Sequence, residues 1–274
     1  MSKSDVDQDG FKIVKSKRNS KNKQPKTPKN LQFERENSFV DVDKVLGRIQ
    51  AAVEDLKTSE YLKEFCEAVS TVLQAKRVVE IVCFGLGRIS DCQTSRYQLA
   101  FLLCVKDYLS PSKVLVHDPI FSKSECNILK RLNLEVIEEN CEGNYTLSDN
   151  CVTLAYFPHC PKQLTNNFLW CNWGIKLHNC LLICNSFTTL IDNNPNRIIS
   201  ESVPFIYKIH PHTKEITIQN NFKFTDIFND TALHYFPLEN LSNLNSVFWH
   251  KGSKPTYENT EEFITSLMIE KLTI

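Results

Sequence analysis

No stretch of this sequence stays apolar for long. The longest run, Leu99 to Val105, covers seven residues, whereas crossing a bilayer takes about 20, so no membrane partner is expected. Residues 1–10 are polar and acidic and lack the apolar core of a signal peptide. Charge of one sign is missing too, since 32 Lys+Arg balance 32 Asp+Glu. Eleven cysteines occur without a single Cys-x-x-Cys pair, which argues against zinc ribbons and thioredoxin-type motifs. A chain that never meets the secretory pathway keeps its thiols reduced. The expected compartment is the cytoplasm, extending to the nucleus.

What is present describes an ordinary folded protein. Of the 274 residues, 42% are apolar and 23% charged, enough to build a core. The neutral total hides an asymmetry. Residues 1–30 hold nine basic and three acidic side chains, leaving 23 basic and 29 acidic beyond them, a net of −6. That part is a poor grip for a nucleic-acid backbone. Lys12 to Lys29 carries eight basic and no acidic residues, with Pro25 and Pro28. Residues 1–38 therefore read as a disordered basic tail, the only segment suited to nucleic acid or to nuclear addressing.

Structure is expected over residues 39–274. Val42, Val45, Leu46, Ile49, Val53 and Leu56 form one helical stripe, and Tyr61, Leu62, Phe65, Val69, Val72 and Leu73 a second. The first strand is Val78–Phe84, closed by Gly85-Leu86-Gly87. A helix from Ser95 to Leu109 follows, then strand Val114–Val116 ending at Asp118-Pro119. Ser122-Lys123-Ser124-Glu125 is a capping box that opens a helix through Arg131. Strands at 135–137, 152–157 and 181–184 follow, with a helix begun by Pro161 between the last two. This alternation predicts a Rossmann-like α/β fold, a mostly parallel sheet with helices on both faces, preceded by two helices and the tail. Beyond Pro195 the rhythm breaks. Ile206–Ile209 and Glu215–Ile218 read as a hairpin or a return strand, and Thr260 to Leu272 as a closing helix.

Ligands of such sheets sit at the carboxyl ends of the strands. Four turns lie there: Gly85-Leu86-Gly87-Arg88, His117-Asp118, Pro158-His159-Cys160-Pro161, and Asn185-Ser186-Phe187. They are expected to line one common hollow. The first turn lacks the third glycine of the dinucleotide fingerprint, position 90 being Ser. Gly85 and Gly87 suit either a close approach to an adenosine-type ligand, with Asp118 on its ribose, or a simple tight turn. Cys160 next to a helix N-terminus favours a thiolate, and Cys160 or His159 could contact haem iron. A buried small thiol is the plainer alternative. Asn166, Asn167 and Asn172 beside large apolar groups require specific hydrogen bonds, to a ligand or between loops. Arg96 could hold an anion or pair with Asp118. No histidine spacing points to a metal, and no nucleophile, base and orienter form a recognisable set.

Taken in order, these words resemble the Sensitivity-to-Red-Light-Reduced (SRR-like) family. They are Cys83-Phe84-Gly85-Leu86-Gly87 with Ser90; Ser95-Arg96-Tyr97-Gln98-Leu99-Ala100; Asp118-Pro119 with Phe121-Ser122; and Pro158-His159-Cys160-Pro161. Asn166-Asn167 with Leu169-Trp170, Asn172-Trp173, Asn185-Ser186-Phe187, Phe228-Asn229-Asp230-Thr231 and Leu233-His234 complete the series. Arg88, Ile89 and Tyr235 depart from the usual pattern. The resemblance implies a regulator of circadian-clock input and, through the animal branch, of haem biosynthesis, with no established reaction. Joined to the turns, it suggests a sensor of a small ligand or an interaction module working with a regulatory protein. The ligand-binding candidates are Gly85, Gly87, Arg96, Asp118, His159, Cys160, Asn167, Asn185 and Ser186, with haem or an adenosine-type molecule as candidate cofactor. The alternative is a methyltransferase-like enzyme that uses an adenosine-type cofactor.

Overall fold

Two amphipathic helices lead into the sheet, as their apolar spacing predicts. A computed structural model of the chain describes residues 40–257. Helix α1 (Val42–Lys57) starts at Asp41, whose side chain accepts from the Lys44 amide, and buries Val45, Ile49, Ala52, Val53 and Leu56. Helix α2 (Glu60–Leu73) is capped by Ser59 in the same way and buries Tyr61, Leu62, Phe65, Val69 and Leu73. Side-chain caps satisfy amides that the first helical turn leaves without partners.

The sheet then builds as β1 (Val78–Phe84), β2 (Lys113–His117), β3 (Glu135–Val136), β4 (Val152–Tyr156) and β5 (Cys180–Asn185). Helices α3 (Gln93–Leu109), α4 (Lys123–Arg131) and α5 (Lys162–Cys171) connect them. The strand order is β3-β2-β1-β4-β5-β7-β6, where β6 is Lys214–Thr217 and β7 is Thr231–Tyr235. Strands β1 to β5 pair in parallel, while β7 runs antiparallel to both β5 and β6. Chain order reverses between β1 and β4, the switch point at which open α/β sheets leave a crevice.

Both faces of the sheet are covered. Ile81, Cys83, Leu154, Tyr156, Leu181 and Ile183 point into a core shared with α1, α2 and α3. Val82, Phe84, Ala155, Phe157, Leu182 and Cys184 point into a second core, with Phe168, Leu169, Phe205, Ile206 and Ile209. Because each central strand is buried on both sides, the strands read as continuous apolar runs. The capping box of α4 is present in full, Ser122 and Glu125 serving one another's amides.

Several expectations are corrected. Residues 206–209 belong to a helix, α8 (Pro204–Ile209), with Pro204 in its first turn and Phe205, Ile206 and Ile209 buried. A short apolar run fits strand or helix equally well by periodicity, and here Pro204 decides it. Pro161 caps α5 rather than starting it. Strand β7 was not anticipated, nor were α6 (Phe187–Asp192), α7 (Asn196–Ser202) and α9 (Leu238–Ser242). The basic tail of residues 1–38 and the helix expected from Thr260 to Leu272 lie outside the described residues.

Candidate functional site

At the switch point the expected crevice is closed. Gly85 follows β1 with φ +78°, and Gly87 with φ +71°. A Cβ on Gly85 would collide with Cys160 Sγ, and one on Gly87 would stand 2.7 Å from Ser95 Oγ. Both glycines are thus required by the protein's own packing and by a left-handed backbone. Cys160, 8% exposed, donates its thiol proton to the Phe84 carbonyl at 3.1 Å. It fills the gap between the ends of β1 and β4.

The second turn reinforces the first. Asp118 accepts from the Gly87 amide at 2.7 Å and from the Ile120 amide at 3.0 Å. Desolvation holds its carboxyl above the ordinary value, and these two amides pull the other way. Glu125, buried in the first turn of α4, accepts from both the amide and the hydroxyl of Ser90. The loops after β1 and β2 are therefore stitched together by carboxylates. Arg96 does not pair with Asp118; its guanidinium donates to the Ser90 carbonyl at 3.4 Å.

Burial overrides the helix effect at Cys160. Desolvation pushes its thiol well above the ordinary value, and nearby Asp118 adds to the rise, both of which oppose the expected thiolate. His159 adopts a left-handed backbone, φ +47°, and its Nε2 meets the Ile227 carbonyl at 2.9 Å. The thiol is a buried donor, and the imidazole meets backbone through Nε2. Among the described residues no cluster of His, Cys, Asp or Glu is arranged to hold a metal ion.

The asparagines of α5 serve as internal ties. Asn166 and Asn167 are fully buried. Asn166 Oδ1 accepts from the Phe205 and Ile206 amides at 2.9 and 3.3 Å, and its Nδ2 donates to the Tyr257 hydroxyl at 2.8 Å. Asn167 Nδ2 donates to the Glu142 carbonyl at 2.9 Å, while its Oδ1 accepts from Tyr257 at 2.9 Å. Asn172 bridges Leu147, Tyr145 and Phe168. The loop-tying alternative accounts for all three amides.

Among the openings that the described residues leave, two lie at the carboxyl edge, where one was expected. The first, about 230 Å³, is walled by the first turns of α5 and α6 and by α8. Cys160, Lys162, Thr165, Asn185, Phe187, Thr189, Leu190, Ile206 and Asp230 are among its lining residues. The second, about 620 Å³, lies beyond β2 and β3 and takes Asp118, Pro119, Phe121, Lys123, Lys130 and Glu138. The structure thus brings Cys160 and Asn185 together and places Asp118 in the other hollow. Gly85, Gly87, Arg96, His159, Asn167 and Ser186 line neither.

A buried polar chain anchors the first hollow. Ser186 caps α6, accepting from the Thr189 amide at 2.9 Å, and donates its hydroxyl to Glu215 Oε1. Glu215 Oε2 takes Thr188 N and Oγ1 at 3.1 Å each and faces His234 Nε2 at 3.3 Å. His234 is fully buried and turns Nδ1 to the Leu182 carbonyl at 3.2 Å and to Cys184 Sγ at 3.6 Å. Desolvation alone would raise the Glu215 carboxyl. The adjacent His234 imidazole, whose Nε2 also accepts the Phe187 amide at 3.3 Å, and the Ser186 hydroxyl outweigh it and hold the group down at about 2. A hydrolytic triad needs its histidine between hydroxyl and carboxylate. Here the carboxylate stands in the middle, so the chain is a brace. Glu215 and Lys162 escaped sequence reasoning, whereas His234 and Asp230 stood among the family words without a role.

A doubly wound α/β domain with ligand-sized openings on its carboxyl edge is the class that fold and site define. Residues 52–235, from within α1 to the end of β7, match the SRR1 domain family. An "SRR1-like protein" of Drosophila melanogaster is 31% identical over 230 residues, 82% of this chain and 80% of the relative. The "SRR1-like protein" of Mus musculus is 32% identical over 204 residues, 62% of this chain and 82% of its own. The Arabidopsis thaliana "Protein SENSITIVITY TO RED LIGHT REDUCED 1" is 25% identical over 201 residues, 68% and 67% of the two chains. The chain belongs to the SRR1 family. No helix among the described residues is long and apolar enough to cross a membrane.

Proposed function

We propose that this protein is a cytoplasmic regulator, extending to the nucleus, in a circadian-clock input pathway with a role in the regulation of haem biosynthesis. It works as a small-ligand sensor, with the first hollow as its seat, and passes the signal to a regulatory protein. Family membership and a plant relative named for reduced sensitivity to red light support the pathway. One observation carries the sensor reading. A hollow of about 230 Å³ lies open beside the carboxyl ends of β4 and β5, lined by the sequence candidates Cys160 and Asn185, where sheets of this kind take their ligands. The experiment deletes the gene, follows the period of a clock reporter and total haem, and restores either wild type or Asn185→Ala. Wild type should rescue and the variant fail at normal protein levels. Full rescue by the variant would remove the hollow from the function.

A methyltransferase-like enzyme is the second reading. The switch point between β1 and β4 and the presence of Asp118 on the larger hollow favour it. The packing of Gly85 on Cys160 and of Gly87 on Ser95 does not cradle a cofactor. Thermal-shift titration with S-adenosylmethionine and with a dinucleotide separates the readings. A micromolar response lost in Asp118→Asn would favour the enzyme.

A further inference from the structure

The last described residues run toward the first hollow. Contacts with α5 and the turn behind it lay residues 248–257 along that helix in the opposite direction. Trp173 Nε1 donates to the Phe248 carbonyl at 3.0 Å, and Trp170 Nε1 to the Gly252 carbonyl at 3.4 Å. The Tyr257 hydroxyl then meets Asn166 Nδ2 at 2.8 Å, Asn167 Oδ1 at 2.9 Å and the Gln163 carbonyl at 3.3 Å. As the chain advances from 248 to 257 its partners thus move from position 173 back to 163, so it heads for the start of α5. Thr165, beside Asn166, and Ile206, whose amide Asn166 also holds at 3.3 Å, both line the hollow. Position 258 follows directly behind the wall of the opening.

That wall joins apolar surface to a cation. Phe187, Leu190 and Ile206 supply the apolar part. Lys162 makes no ion pair among the described residues and stands in the first turn of α5, where the helix amides add positive potential. Asp230, the other charged lining residue, already takes the Thr189 side chain. The sequence after residue 257 has the complementary chemistry. Residues 258–274 hold four acidic side chains and one basic, and Glu258, Glu261 and Glu262 come first. Phe263, Ile264, Leu267 and Met268 come next, spaced as one helical face. Lys162 adjoins Gln163, which holds Tyr257, and five extended residues reach about 17 Å. Residues 258–262 are therefore long enough to bring their acids to Lys162.

We propose that the first hollow is the docking site of this chain's own residues 258–274. Glu261 and Glu262 meet Lys162 and the start of α5, and Phe263 and Leu267 rest on Phe187, Leu190 and Ile206. The contact removes apolar surface from water, and the charges set the direction in which the segment lies. A tether this short holds the segment at a millimolar effective concentration, so a weak contact suffices. The proposal stands apart from the sensor reading: a small ligand of the same hollow would have to displace the segment.

The test uses the full chain with photoreactive benzoylphenylalanine in place of Phe263 and, in a second preparation, in place of Leu267. Cross-linked peptides are mapped by mass spectrometry, and they should join the probe to residues 187–206 of the same chain. Lys162→Glu should lower that yield at least about fivefold, and adding Glu261→Lys with Glu262→Lys should restore it. Lys130→Glu, in the second hollow, should leave it unchanged. Without a photoprobe, Phe263→Asp with Leu267→Asp should speed amide exchange in α6 at least about threefold. Melting curves show that each variant is folded. Cross-links from both positions to residues 247–254, or to nothing, would overturn the proposal. Covalent dimers alone would overturn it as well, by placing the segment on a second copy. A yield indifferent to Lys162→Glu would refute the charge pairing and with it the stated direction. No small ligand enters the experiment, so each of these failures leaves the sensor reading standing.

Discussion

Replacing Glu215 with Gln keeps the shape of the brace and removes its charge. The carboxyl lies at about 2 in the folded protein, against about 4.3 for a free glutamate. A shift of that size converts to about 3 kcal/mol at 1.36 kcal/mol per pH unit, and partial exposure of the β6 edge discounts it to about 1–2 kcal/mol. The folded value is depressed, so the contribution is fully present above the unfolded value and is lost as pH falls toward the folded one. Wild type should therefore exceed Glu215→Gln by about 1–2 kcal/mol from pH 5 to 7, and by about a quarter of that or less at pH 3. In a protein of this length the neutral-pH difference corresponds to roughly 2–8 °C in melting temperature. Thermal unfolding at pH 7, 5, 4 and 3 measures it. A gap that does not change with pH would show that Glu215 acts through packing, and no gap at all would refute the brace.

Three further outcomes follow from the same geometry. Gly85→Ala should cost about 2–4 kcal/mol in urea unfolding, from left-handed strain and collision with Cys160 Sγ. Adding Cys160→Ala should return at least about 1 kcal/mol, and strict additivity would refute the contact. Asn166→Ala should cost about 2–3 kcal/mol because the buried amides of Phe205 and Ile206 lose their acceptor; a loss below about 1 kcal/mol would mean that water replaces the side chain. Native alkylation with iodoacetamide, mapped by mass spectrometry, should modify Cys92 at least about tenfold faster than Cys160. Cys92 is exposed, and although partial burial opposes it, hydrogen bonds from Ser95 and Thr94 draw its thiol below the ordinary value. Equal rates would overturn the closed switch point.

What could be read in advance was local or continuous in the chain. Strands β1, β2, β4 and β5 show as apolar runs because they are buried on both faces. The α4 capping box shows because its partners lie three residues apart. Strand β7 did not show: Ala232 and His234 interrupt the β-branched signal, and its place between β5 and β6 depends on a pairing that no local pattern records. The site divides in the same way. The four turns were found from strand ends alone, yet which of them meet depends on contacts distant in sequence. Cys160 reaches Phe84 across 76 residues, and Ser186 reaches Glu215 across 29. The asparagines of α5 were legible as groups in need of partners, because a buried amide must be satisfied. Their partners, the backbone near residues 142–147 and 205–206, were not.

The remote contacts explain why one opening stays and another closes. At the switch point several polar groups serve neighbours: Cys160 the Phe84 carbonyl, Asp118 the Gly87 amide, Glu125 both ends of Ser90. Such an arrangement favours rigidity, since moving one member strands another. The walls of the first hollow are anchored from behind instead. Asn166 fixes α8 to α5, and Glu215 fixes the start of α6 to the sheet edge. Lys162, Asn185, Phe187 and Ile206 line the opening between these anchors. A seat held open in this way does not have to order its own walls when a molecule arrives, so more of each contact appears as affinity.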